Sequence, residues 1–523
     1  MAMQASNDAP HQPPTDEVGK VETRGVDFVP LSARQDRPRD IGTVFLGANM
    51  CFGTIVLGAL PILFGLGWWA AFWAITVGTL LGTAFFGPVG LIGPRTGTNS
   101  AVSSGAFFGV VGRLIGSLVV LVIAIGFYAL AVWTGGQAVV AGAHKLFGLP
   151  QDTLEFAIAY GLIGAITVVL ALIGHATLVA SQKVMAPLIA VLLIVGVLIE
   201  LPDFDPGYAG GEYVLGSFWP TWVLSMVASA SLALSYGPFA NDYARYLPAR
   251  AARRGALWGS AGIFFGCWFA LLFAAFFTSM MAPGTADFVV GLVEVSPTWY
   301  AVPIVVIGLL GGFGQGSLAL YGTGLDTSSL IPRLSRVNAT VVVSVVGVGL
   351  VYLGALVWDA LSLVSTFTVL LTVIAAPWLV INVMGHLALR GRYVPEDLQV
   401  FNVGMTGGTY WFRRGVNWYA MAAWLPSVVL GLLFANTPPL MEGPWRNAAG
   451  GIDLSFLSAA LVAFLIYGAF LLLVPGRVLP ATSGTPLVGL ATTSGVAPAP
   501  GEVPADHAAP LNAPLGPEGA PST

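Results

Sequence analysis

The sequence predicts an all-α integral membrane protein of about twelve transmembrane helices, and three observations lead there. The 523 residues are 56% hydrophobic and only 9% charged, with a mean hydropathy of +0.82, whereas soluble domains carry roughly a quarter charged residues. The apolar runs are about 20 residues long and lack period-two alternation, so they read as helices and not as barrel strands. The basic residues alternate in a way that only an even count of crossings preserves. Hydrocarbon offers the backbone no partner, so each crossing must satisfy its own hydrogen bonds.

Taken in order, residues 1–39 are polar, mix acids with bases and contain no apolar core of a signal peptide; they read as a disordered cytoplasmic tail. A transporter domain over 40–475 follows. Its apolar segments lie near 43–67, 69–94, 114–143, 155–174, 183–201, 218–240, 256–281, 299–325, 338–357, 360–386, 418–435 and 453–474. With the N-terminus inside, 19 of the 21 Lys and Arg fall on the cytoplasmic side, and only Lys145 and Arg446 lie outside. The positive-inside rule therefore supports both the count and a plasma-membrane orientation with cytoplasmic termini. The stretch 476–523, rich in Pro, Ala, Gly and Thr, reads as a second disordered tail.

Composition also excludes functions. A net charge of −4 argues against nucleic acid as a partner. Cys51 and Cys267 sit inside apolar runs and fit neither a disulfide framework nor a metal site, which leaves them as small buried hydrophobes. The five histidines form no HExxH, and no Walker or Gly-rich nucleotide motif is present. An enzyme, a metal or a cofactor is therefore not expected. What remains is a carrier, with a passive facilitator or a non-transporting membrane sensor as the alternative.

Two stretches favour the carrier. The first segment contains GANMCFG (Gly47 to Gly53), polar and flanked by glycine at mid-span. The sixth contains SYGPFAND, where Gly237-Pro238 should break the helix before Asn241-Asp242. Segments 1 and 6 are equivalent positions in a five-plus-five inverted repeat, and carriers often bind solute where such paired helices are discontinuous. Repeat one would span about 43–201 and repeat two about 218–386, with accessory helices over about 418–474. The competing reading is close helix packing through small residues.

At these residues the chain resembles the purine–cytosine permeases of the nucleobase:cation symporter-1 family. FANDYARYLP (Phe239 to Pro248) is similar to the family's exit from helix 6. GPRTGTNSAVSSGAFFG (Gly93 to Gly109) is similar to its loop between helices 2 and 3, and GGFG (Gly311 to Gly314) with LALYGTGLD (Leu318 to Asp326) resembles its helix 8. The resemblance runs from helix 1 through helix 10. It implies a LeuT-like fold with helices 1 and 6 interrupted, two trailing C-terminal helices, and cation-coupled uptake of a nucleobase-like ring, cytosine or purine first, or uracil, allantoin or a vitamin.

In the family a base stacks between an aromatic on helix 3 and one on helix 6. Those positions fall here on Phe127 and Tyr236, with Trp133 a rival on helix 3. The family's polar helix 3 partner falls on Ala131, so reading of the base's edge shifts to Asn49, Ser235, Tyr236, Gln315 or Ser317. Sodium-coupled relatives hold the ion between helix 1 carbonyls and two helix 8 hydroxyls, and these positions fall on Gly314 and Gln315. Proton coupling is therefore expected over sodium, with Asp242, Arg245 and Asp326 as coupling or gating candidates. Asp242 and Arg245 also fit a purely structural pairing.

Overall fold

The computed structural model describes residues 28–172, 175–282, 285, 287–330, 335–356 and 360–480. Among the described residues, ten helices are long and apolar enough to cross a membrane, and a bent pair, Pro38–Ala48 with Phe52–Leu63, supplies an eleventh span. The apolar helix Trp418–Phe434, at 17 residues, is shorter. We number these in chain order. Helix 1 is the bent pair, and helices 2 to 5 are Trp68–Gly90, Leu114–Phe147, Thr153–Leu172 and His175–Glu200. Helix 6 comprises Phe218–Ser235 and Ala240–Ala244, and helices 7 to 10 are Ala252–Thr278, Ala301–Leu330, Arg336–Leu356 and Ala360–Leu389. Helices 11 and 12 are Trp418–Phe434 and Ser455–Leu473. Each of the twelve sequence segments thus carries one helix.

The packing obeys the exchange of helices 1–5 with 6–10. Helix 1 packs on helix 7 and helix 6 on helix 2; helix 4 packs on 8 and helix 9 on 3; helix 5 packs on 1 and helix 10 on 6. Helices 3 and 8 pack on each other at the centre, and helices 11 and 12 lie against helix 10. Small residues set the closest approach: a Cβ on Gly78 or Gly82 of helix 2 would lie 2.3 or 2.4 Å from helix 6 carbonyls, at Met226 and Ala230.

The two expected interruptions differ. Helix 1 bends by 71° at Asn49–Cys51. Helix 6 is interrupted at Gly237-Pro238 as expected, but without a sharp bend: the α-helix ends at Ser235, a 3-10 turn covers Gly237–Phe239, and the helix resumes at Ala240 within the single span Phe218–Ala244. Proline stands at the start of that turn, where its missing N–H costs least.

The tails are shorter than the sequence suggests. Val29 is fully buried and donates its N–H to Gly97 O (2.9 Å); Arg34 is buried and donates to Val29 O (2.8 Å) and Pro94 O (3.0 Å); Asp36 N–H reaches Tyr246 O (3.1 Å). Residues 28–36 therefore form a strap across the loop between helices 2 and 3. Their mixed polar sequence hides the few side chains that carry the contact. Gly97 makes the strap possible, with φ +66° and no room for a Cβ beside the Arg34 guanidinium. At the other terminus Pro475–Val478 is helical, Val478 is buried and its carbonyl accepts from Asn417 Nδ2 (2.9 Å).

Both expected outer cations have partners. Lys145 Nζ donates to the carbonyls of Val293, Glu294 (3.2 Å) and Ser296 at the end of the short helix Phe288–Val295. Gln137, two turns earlier on helix 3, donates to Asp287 at the start of that helix (2.8 Å). Helix 3 thus holds the short helix at both termini. Arg446 pairs with Glu442 at 3.0 Å.

Candidate substrate site

The bend in helix 1 frees carbonyls, and neighbours take them. Thr54 Oγ1 donates to Asn49 O (2.8 Å), and the Tyr236 hydroxyl reaches across from helix 6 to Ala48 O (3.3 Å). Beside this bend lies a cavity of ≈ 40 Å³ walled by Phe45 and Ala48 of helix 1, Phe127 of helix 3, Ser235 and Tyr236 of helix 6, and Gln315 of helix 8. The rings of Phe127 and Tyr236 face each other across it, with centroids 6.5 Å apart and planes 24° from parallel. Phe45 closes one side, edge-on to Tyr236 (5.9 Å) and to Tyr243 (5.6 Å). None of the lining residues carries a charge. Such a slot suits a flat, uncharged, polarisable ring.

Of the six expected binding residues, four line this cavity: Phe127, Tyr236, Ser235 and Gln315. Asn49 and Ser317 do not. Asn49 donates its amide to Phe45 O (2.8 Å) and accepts from the Cys267 thiol (3.2 Å), closing the end of the half-helix and tying it to helix 7. Ser317 donates to Phe313 O within its own helix. Trp133 lines a separate apolar cavity of ≈ 180 Å³ between helices 3, 9 and 10, next to Phe367. Phe367 stands edge-on to Phe127 at 5.6 Å.

The glycines at the interruptions serve close packing. A Cβ on Gly53 would meet Gln315 Oε1 at 2.7 Å and Ala131 N at 2.9 Å, so Ala131 packs against the bend and offers nothing to the cavity. A Cβ on Gly237 would meet Leu379 of helix 10 at 2.6 Å. Gly47 and Gly314 share one neighbour: their Cβ positions lie 2.3 Å from Oε1 and 2.7 Å from Nε2 of Gln182. The Gln182 side chain of helix 5 is therefore wedged between helix 1 and helix 8, buried, with its Nε2 unbonded. The sequence analysis missed Gln182, whose only signal is a pair of glycines on two other helices.

Asp242 and Arg245 are buried at the end of helix 6, on either side of Tyr243, which also lines the cavity. Asp242 Oδ1 accepts from Ser100 N (3.0 Å) at the start of the short helix Ser100–Phe108, and its Oδ2 accepts no hydrogen bond. The Oδ2 faces helix 8 at Gly322, where a Cβ would stand 3.5 Å away. Arg245 donates to the hydroxyls of Tyr246 (3.1 Å) and Tyr321 (3.3 Å). Asn241 completes the joint by accepting from Gly93 N (2.8 Å), while its own N–H donates to Ser100 Oγ (3.0 Å). The motif at the end of helix 6 and the motif between helices 2 and 3 are thus two halves of one contact. The side chain of Asp326 lies outside the described residues.

A bent first helix and an uncharged slot between two near-parallel rings, inside a ten-helix core with exchange symmetry, define a membrane carrier. The chain belongs to the family of permeases for cytosine/purines, uracil, thiamine and allantoin, which matches residues 28–457. YxlA of Bacillus subtilis (strain 168), whose name assigns it provisionally to the purine-cytosine permeases, is 26% identical over 463 residues, covering 86% of this chain and 95% of YxlA. Among solved structures the chain is similar to Mhp1, a nucleobase-cation-symport-1 family transporter, in a closed conformation with bromovinylhydantoin bound. That match has a TM-score of 0.66 at 20% identity over 87% of this chain and 94% of Mhp1. The inward-facing conformation of Mhp1 also matches at 0.66, with 18% identity over 86% and 94%. A Na+-coupled sialic acid symporter matches at 0.52, with 12% identity over 84% of this chain and 90% of the symporter. These likenesses bear out the LeuT-like fold and the permease family inferred from the motifs.

Proposed function

We propose that this permease imports an uncharged nucleobase-like heterocycle across the plasma membrane by proton symport, with both termini in the cytoplasm. The observation that carries the substrate class is the Phe127–Tyr236 pair, 6.5 Å apart and near-parallel beside the helix 1 bend. Two stacking gaps of about 3.5 Å need about 7 Å, so a small opening of the pair admits one flat ring. The cavity's ≈ 40 Å³ is small for a nucleobase-sized ring, so its walls must move apart for the ring to enter.

The Gln182 wedge supports the choice of proton. Sodium wants several oxygen ligands, and between helices 1 and 8 the amide of Gln182 fills the space beside Gly47 and Gly314. Among the described residues, no Asp, Glu or His lines the cavity. Asp242 is the buried carboxyl closest in the chain to the slot, one turn beyond Phe239, and it joins helix 6 to the loop between helices 2 and 3. Protonation there would change a contact between the two repeats, with Arg245, Tyr243 and Tyr321 as its neighbours.

The test is uptake of labelled nucleobases by the purified protein in liposomes. Accumulation should rise with external acidification, collapse with a protonophore and persist when choline replaces sodium. Sodium-dependent accumulation at equal pH would overturn the coupling assignment. Simple equilibration without accumulation would make the protein a facilitator.

A further inference from the structure

We infer that Cys51 fixes the orientation of the Gln315 amide, so that the slot selects heterocycles turning a hydrogen-bond acceptor, such as an oxo group, toward helix 8. This rests on reading the cavity as the nucleobase site. The Gln315 side chain shares the cavity wall with Tyr236 and meets Cys51 and Gly53. A phenol has one proton to give, and that of Tyr236 goes to Ala48 O at 3.3 Å. Toward Gln315, on the same cavity wall, the hydroxyl can therefore only accept, which does not favour an amide oxygen turned its way.

The amide oxygen then lies against Cys51, whose thiol donates to Gln315 Oε1. The other acceptors within reach of that thiol are more distant, Thr54 Oγ1 at 3.4 Å and Ala48 O at 3.8 Å. The Thr54 proton is committed to the backbone of Asn49 or Cys51. A flipped amide would set NH₂ against the thiol proton and lose the bond from Cys51. The orientation is thus held at the Cys51 end, where both side chains are buried.

The consequence is a defined polarity in the slot. The Nε2 hydrogens of Gln315 are then left for a substrate in the cavity that Gln315 lines. Ser235 gives its proton to Leu232 O at 2.6 Å and so offers only lone pairs. Helix 8 donates and helix 6 accepts. A ring with a carbonyl beside an N–H matches both.

Binding to the purified full chain, measured by calorimetry, tests this with paired probes: uracil against 4-thiouracil, and hypoxanthine against 6-mercaptopurine. Sulfur is the weaker acceptor, so the thio member of each pair should bind about fivefold more weakly to the wild type, and Gln315→Leu should erase the difference. Cys51→Ala should weaken oxo binding about tenfold, Cys51→Ser should restore most of it by keeping a donor, and Cys51→Ala should add nothing in the Gln315→Leu background. A merely structural Cys51 would give additive losses in that cycle, or equal losses for Ala and Ser, and either result overturns the inference. Equal oxo and thio binding in the wild type also overturns it. If none of the four rings binds folded, monodisperse protein, the nucleobase reading itself falls, and this inference falls with it.

Discussion

Phe127 and Tyr236 stand 6.5 Å apart across the cavity with planes 24° from parallel, although they come from helices that share no sequence neighbourhood. Removing either face should weaken binding of a flat heterocycle by about 1–3 kcal/mol, roughly 5- to 150-fold in affinity. Phe127→Trp keeps a face and should retain binding. Calorimetric titration of the three variants checks this, and unchanged affinity in both alanine variants would remove the stacking assignment.

Gly237 matters through what it touches. A methyl there would meet Leu379 at 2.6 Å, closer than packed carbons approach. Gly237→Ala should therefore slow uptake by pushing helix 10 from helix 6, and Leu379→Ala should restore much of the loss. Initial uptake rates of the single and double variants decide it. If the double variant is no better than Gly237→Ala, the turn itself is what transport requires.

Asp242→Asn should separate binding from driving force. The amide can still accept from Ser100 N–H, so the joint persists, but it cannot take up and release a proton. Substrate exchange across liposome membranes should continue while accumulation driven by external acid is lost. Retained acid-driven accumulation would move the coupling role elsewhere.

Lys145→Met should loosen the short helix Phe288–Val295 without touching the slot. The ammonium satisfies carbonyls at the helix C-terminus, a contact worth about 0.3–1 kcal/mol and up to about 2 kcal/mol when partly buried. Faster amide hydrogen exchange confined to residues 288–295 is the expected result, and unchanged protection would show that the Gln137–Asp287 contact suffices.

What the sequence made legible follows from range. The helix segments were readable because hydropathy is a local property, and the motif of Gly93–Gly109 was readable as a pattern. Its reason was not, because Asn241 and Asp242 meet that loop across more than a hundred residues of chain. The same limit explains Asn49, which looked like a ligand and is a local cap, and Gln182, whose importance lies in the space that Gly47 and Gly314 leave. Gly-Pro promised a break in helix 6, and the α-helix does stop there. A 3-10 turn carries the proline at its second position and joins the two α-helical pieces within one span.

The strap of residues 28–36 also decides where this protein can be shortened or fused. A chain started at residue 28 keeps every strap contact described above. One started at residue 37 would leave the carbonyls of Pro94, Gly97 and Tyr246 without the donors that now reach them, and each buried acceptor left so costs about 1–3 kcal/mol. Purification tags and reporter domains therefore belong ahead of Phe28 or beyond Pro480. Between those limits the polypeptide offers no expendable end.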